Sequence, residues 1–135
     1  MKSPVTLLTA AVAFSALSSS ARRPGEDTAP CRIPLQQGHW QTPGRNEFWL
    51  RCDADEVFWL GMNKAVGDTA MGSRWAHVGY GRLQGRVIHL RWADVPFGAD
   101  TTAGSIEITV LTDSTMIVTR DDGVFGRAEW HWVKP

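Results

Sequence analysis

From Cys31 onward the chain consists of short runs in which apolar and polar residues alternate, each ended within about ten residues by Gly, Asp, Asn or Ser. Alternation with a period of two puts every second side chain on one face of a strand. A buried helix needs apolar residues three and four apart, and no window of about 11 residues keeps that spacing without a glycine or proline inside it. The nearest is 62–76, which Gly67 and Gly72 interrupt. The expectation is an all-β chain.

The runs pair into hairpins whose register can be read from their apolar faces. Phe48, Leu50 and Cys52 precede the turn Asp53-Ala54-Asp55, and Phe58, Leu60 and Met62 follow it. A three-residue loop there sets Leu50 against Phe58 and Phe48 against Leu60. In the middle of the chain a turn at Gln84-Gly85 puts Gly79, Gly81, Leu83, Ile88, Leu90 and Trp92 inward, with Tyr80, Arg82, His89 and Arg91 outward. A loop at Thr112-Asp113-Ser114 sets Val110 against Met116 and Ile108 against Val118. The turn Asp121-Asp122-Gly123 leads into Val124, Gly126, Ala128, Trp130 and Trp132 inward, and Phe125, Arg127, Glu129 and His131 outward. With Gly38 to Thr42 as a first strand, about eight short antiparallel strands result, and such a meander hides its edges best by closing. The fold expected is a single-domain, antiparallel up-and-down barrel over 31–135.

Residues 1–21 read as a signal peptide. Lys2 supplies a positive start, Val5 to Leu17 is uncharged and mostly apolar, and Ser19-Ser20-Ala21 is a small-residue cleavage site. As a helix that apolar stretch is roughly 20 Å long, short of the ~30 Å hydrocarbon core, so no integral membrane segment is expected after cleavage. Residues 22–30, polar and holding two prolines, read as a flexible N-terminal arm. An exported chain with only Cys31 and Cys52 is expected to join them as a disulfide of structural role, in the periplasm or outside the cell.

Charge narrows the partners. The 14 Lys and Arg balance the 14 Asp and Glu, at a pI near 6.9, so a basic surface that tracks phosphates is absent and nucleic acid is not an expected partner.

Gly38-His39-Trp40 on the first strand resembles the G-x-W signature of the calycin barrels, the lipocalins, avidins and their relatives. Arg127, before the last aromatic strand, is similar to the arginine that packs over that tryptophan in lipocalins. The resemblance implies the barrel fold and a binding cavity. Bacterial periplasmic protease inhibitors also use a short calycin-like barrel with one disulfide, although their tryptophan strand precedes the first Cys.

No G-x-S-x-G, no H-E-x-x-H and no Cys free for catalysis occur, and the four histidines are scattered, so neither an enzyme nor a metal or other cofactor is expected. Asp53, Asp55 and Glu56 lack the ligand spacing of a calcium loop. The candidate binding residues fall in two groups. Trp49 and Trp59, by the register above, form an outward cross-strand pair, either a contact platform or a surface covered by 63–76 or the arm. Asp94 and Arg120 lie inward at strand ends, either paired with each other or anchoring a polar head above a floor of Trp92, Trp130, Ile88 and Ile108. Tyr80, Arg82, His89 and Arg91 make an outward basic and aromatic patch, a contact for an anionic polymer or an ordinary solvated face. The function expected is binding of a small apolar or amphiphilic molecule in the barrel. The alternative is inhibition of an extracytoplasmic hydrolase through the arm and the tryptophan pair.

Overall fold

The computed structural model describes residues 28–64, 67, 69–95, 101–122, 125 and 128–135. The expected leader, residues 22–27 of the arm, and Val124, Gly126 and Arg127 lie outside them. The strands are β1 (Gly38–Gln41), β2 (Glu47–Asp53), β3 (Glu56–Met62), β4 (Ala76–Gln84), β5 (Val87–Asp94), β6 (Ala103–Val110), β7 (Thr115–Asp121) and β8 (Glu129–Trp132). Each pairs antiparallel with the next, and β1 meets β8 through Trp40–Trp132 and Gln41–His131, which closes the barrel. The fold is therefore the all-β, single-domain barrel expected from the alternation.

Two hairpins keep the expected register. Leu83 faces Ile88 and Gly81 faces Leu90 between β4 and β5, and Val110 faces Met116 and Ile108 faces Val118 between β6 and β7. Their inward residues, with Trp40, Val57 and Trp130, form one buried core.

The β2–β3 hairpin differs from the expectation by one residue. Asp53 pairs with Glu56, so the loop is Ala54-Asp55 alone, and Leu50 faces Trp59 while Phe48 faces Gly61. Losing one loop residue exchanges the two faces of β3. Val57 and Trp59 point inward, 0% and 4% exposed, and Phe58 points out at 43%. The turn that permits this carries a positive φ of 55° at Ala54 and none at Asp55, the sign pattern of a type II′ turn, whose first central position favours glycine.

A β-bulge between Glu107 and Ile108 makes a second departure. Ile108 pairs with Val118 but Glu107 pairs with Arg120, two residues on. The extra residue, Thr119, reverses the parity, and Arg120 emerges on the outer face instead of the inner one.

One end of the barrel is covered by the segment 28–37. Ala54 N–H donates to Ala29 O and Arg32 N–H to Ala54 O, at the β2–β3 turn. Further along, Gln36 N–H donates to Asp113 O at the β6–β7 turn. Between these ties Leu35 inserts into the core. The Cys31–Cys52 disulfide, with Cα atoms 5.2 Å apart, fixes the segment to β2, as the sequence led us to expect.

Candidate functional site

The opposite end gathers described residues of four connections, among them Asn46, Trp75, Thr102 and Phe125. A cavity of about 420 Å³ opens there. Phe48, Trp75, Trp92 and Phe125 are its aromatic walls, and His77, Asp94 and Thr102 its polar side, with Arg74 on the exposed rim.

Asn63 shapes the first wall. Its buried side-chain Oδ1 accepts from Arg74 N–H at 2.9 Å and Trp75 N–H at 3.0 Å. Its main-chain N–H donates to Trp75 O and its carbonyl accepts from Gly72 N–H. The loop is thereby returned to β4 with Trp75 stacked on His77, ring centroids 4.8 Å apart and planes 15° from parallel.

His77 continues the inward parity of Gly79 and Gly81. Its neighbour across β3 is Gly61, where a Cβ would lie 2.2 Å from His77 Nε2. Only glycine there leaves room for the imidazole. Trp59, Trp92, Phe48 and Phe125 complete a ring of aromatic neighbours, with centroids 5.3 to 5.9 Å away. Burial in these rings lowers the His77 pKa to about 4, against the opposing pull of Asp94. The imidazole is therefore neutral at pH 7.

Asp94 ends β5. Its Oδ2 accepts from Thr102 N–H at 2.7 Å and Thr102 Oγ1–H at 2.8 Å. Oδ1 faces His77 Nδ1 at 3.9 Å, beyond hydrogen-bond reach. Both side chains are 3% exposed. The indole N–H groups of Trp40, Trp59, Trp92 and Trp130, and His77 Nε2, are buried and have no hydrogen-bond partner among the described residues.

Of the residues expected at a site, Trp92 and Asp94 line the cavity, and Trp130 lies under it, stacked on Phe48 at 4.0 Å. Arg120 is absent from the cavity: its guanidinium, 78% exposed, pairs outside with Glu107 at 3.6 Å. It does not meet Asp94. Trp49 and Trp59 are not a pair, because the shorter turn sends Trp59 into the core against Trp130 at 4.2 Å, while Trp49 stays outside, stacked on His39 at 5.2 Å. Phe125, expected outward, packs inward on Trp92 at 5.1 Å.

Carboxylates answer three of the four residues of the outward patch. Tyr80 Oη–H donates to Glu56, Arg82 pairs with Asp55 and Glu56, and His89 pairs with Glu107. His77, Trp75 and Asn63 were not singled out from the sequence. The parity that turned Gly79 and Gly81 inward reaches His77 and Trp75 when extended by two and four residues, whereas nothing in the sequence marks Asn63.

Among the described residues no three His, Cys, Asp or Glu side chains converge as metal ligands would. No protein-family model matches the chain, and no curated protein or solved structure matches it either. The class of protein rests on the architecture: a closed eight-strand antiparallel barrel, consistent with a calycin-like one, plugged at one end and open at the other.

Proposed function

We propose that this is an exported calycin-type binding protein that takes a small apolar or amphiphilic molecule into the open end of its barrel. The observation that carries the reading is the 420 Å³ cavity walled by Phe48, Trp75, Trp92 and Phe125, a size and lining suited to a small organic ligand. The disulfide fits an oxidising compartment, periplasmic or extracellular. The test is titration with N-phenylnaphthylamine, a neutral fluorescent probe. Enhanced probe emission, with quenching of the protein's tryptophan emission and loss of both effects in Trp75→Ala, supports the reading. A probe that stays dark, or that lights equally with Trp75→Ala, overturns it.

A second reading, a protein inhibitor of an extracytoplasmic hydrolase, draws on the outer face. Trp49, Leu60 and Val78 are cross-strand neighbours there, beside Phe58 and Tyr80, and Phe58, Tyr80 and Val78 are more than 40% exposed. Contiguous apolar surface of this kind marks a contact site. Inhibition of one member of a hydrolase panel, abolished by Phe58→Ser with Tyr80→Ser, would favour it.

A further inference from the structure

The cavity's polar side selects among small molecules, an inference that rests on the cavity being a binding site. Among the described residues its ionisable lining groups are Arg74, His77 and Asp94. Arg74 stands on the solvent-exposed rim, where its charge is screened. Asp94 is different, because its carboxylate is 3% exposed and set among aromatic rings. Thr102 occupies Oδ2 and fixes the orientation of the group, while among the described residues the basic atom within 4 Å of Oδ1 is His77 Nδ1 at 3.9 Å.

A buried carboxylate is stable only when its charge is answered nearby. His77 does not answer it, since the aromatic ring of neighbours keeps the imidazole neutral at pH 7. Around the same space Trp75, Trp92, Phe48 and Phe125 present aromatic rings, and the faces of such rings attract cations. A negative oxygen and several aromatic rings lining one cavity are complementary to a positive charge on an apolar body. An anionic ligand would meet Asp94 at short range, and among the described lining residues the one cation is Arg74 at the rim.

We propose that the ligand is an organic ammonium: a protonated amine on an aromatic or aliphatic body, its N–H donating to Asp94 Oδ1 and its body held between Trp75 and Trp92. The ammonium supplies a counter-charge that no described residue places within 4 Å of Oδ1 except the neutral His77, whose Nδ1 is 3.9 Å away.

The experiment compares three probes with one ring system and different head groups, naphthylmethylammonium, naphthylmethanol and naphthoate, by calorimetric titration of the full-length protein at pH 7. The ammonium is expected to bind about tenfold or more tightly than the alcohol, which is the scale of one charge-assisted hydrogen bond, and naphthoate weakest. In Asp94→Asn the ammonium is expected to lose its preference and bind no more tightly than the alcohol does to the same variant. An alcohol or naphthoate that binds the wild-type protein as well as the ammonium overturns the inference and leaves the cavity reading standing. An Asp94→Asn variant that keeps the ammonium preference also overturns it. Failure of all three probes to bind overturns both. The wild-type ranking alone decides the matter if the variant does not fold.

Discussion

His77 is where local packing and charge meet. It fits inside the barrel because Gly61 opposite it has no side chain, and once inside it loses the water that would stabilise its charged form. The depressed pKa, about 4 against 6.5 for the unfolded chain, makes stability depend on pH with a definite sign. Above pH 6.5 neither state holds the proton, and the native packing is fully expressed. As pH falls below 6.5 the unfolded chain takes up the proton first, so stability drops by up to roughly 1.4 kcal/mol per pH unit. The loss ends near pH 4, where the folded protein is protonated too. Urea midpoints measured between pH 4 and 7 should therefore decline toward acid, and His77→Phe should flatten the decline. A variant as acid-sensitive as the wild type would show that other groups carry the effect. The neighbouring carboxylate illustrates the same competition, because Asp94 opposes the shift and burial outweighs it.

Among the elements, the turns decided how much could be read. Where a turn's length was unambiguous, as at Thr112-Asp113-Ser114, the pairing of Val110 with Met116 followed from the apolar pattern. The β2–β3 turn was harder, because Phe58, Leu60 and Met62 make as good an apolar face as Val57 and Trp59. The tighter loop wins although it forces Ala54 to a positive φ, a conformation that sequence preference argues against. What it gains is burial of Trp59 and the N–H and C=O ties of Ala54 to Ala29 and Arg32. The β4–β5 turn shows the unstrained version, with Gly85 at the corresponding position at φ 61°. Ala54→Gly should accordingly stabilise the protein by about 0.5–1 kcal/mol, since the relief of a left-handed alanine exceeds the extra freedom given to the unfolded chain. Both main-chain ties survive the change. A chemical-denaturation midpoint that fell instead would mean the turn is not strained. The β6–β7 bulge was illegible for a related reason: one unpaired residue leaves no compositional trace, yet it decides that Arg120 meets Glu107 outside and never approaches Asp94. Trp92 was readable because no irregularity disturbs β5 between its turn and the tryptophan, and Trp130 followed from the alternation within β8, where it is buried between exposed Glu129 and His131. The polar side was half readable, as Asp94 followed from β5 and His77 required β4 to be extended toward its start.

Taken as a whole, the molecule divides its two ends between stability and access. At the plugged end the segment 28–37 contributes Leu35 to the core and hydrogen bonds to two turns, and the disulfide fastens it. At the open end the cavity is held by β4, β5 and the connections that flank them. No side chain that lines this cavity belongs to the segment 28–37. The two cysteines are 21 residues apart, and a cross-link over a loop of that length stabilises by about 3 kcal/mol, chiefly by restricting the unfolded chain. Replacing both cysteines, Cys31→Ala with Cys52→Ala, should lower the unfolding free energy by about that amount in a denaturant titration. The native cavity should be unaltered, because an effect exerted on the unfolded state leaves the folded site as it was. At a temperature where the variant remains folded, N-phenylnaphthylamine should therefore bind it within about twofold of the wild-type affinity, a difference under 0.5 kcal/mol. A parallel loss of stability and affinity would show instead that the plug holds the barrel in shape through its full length, and the two ends would have to be treated as one cooperative unit.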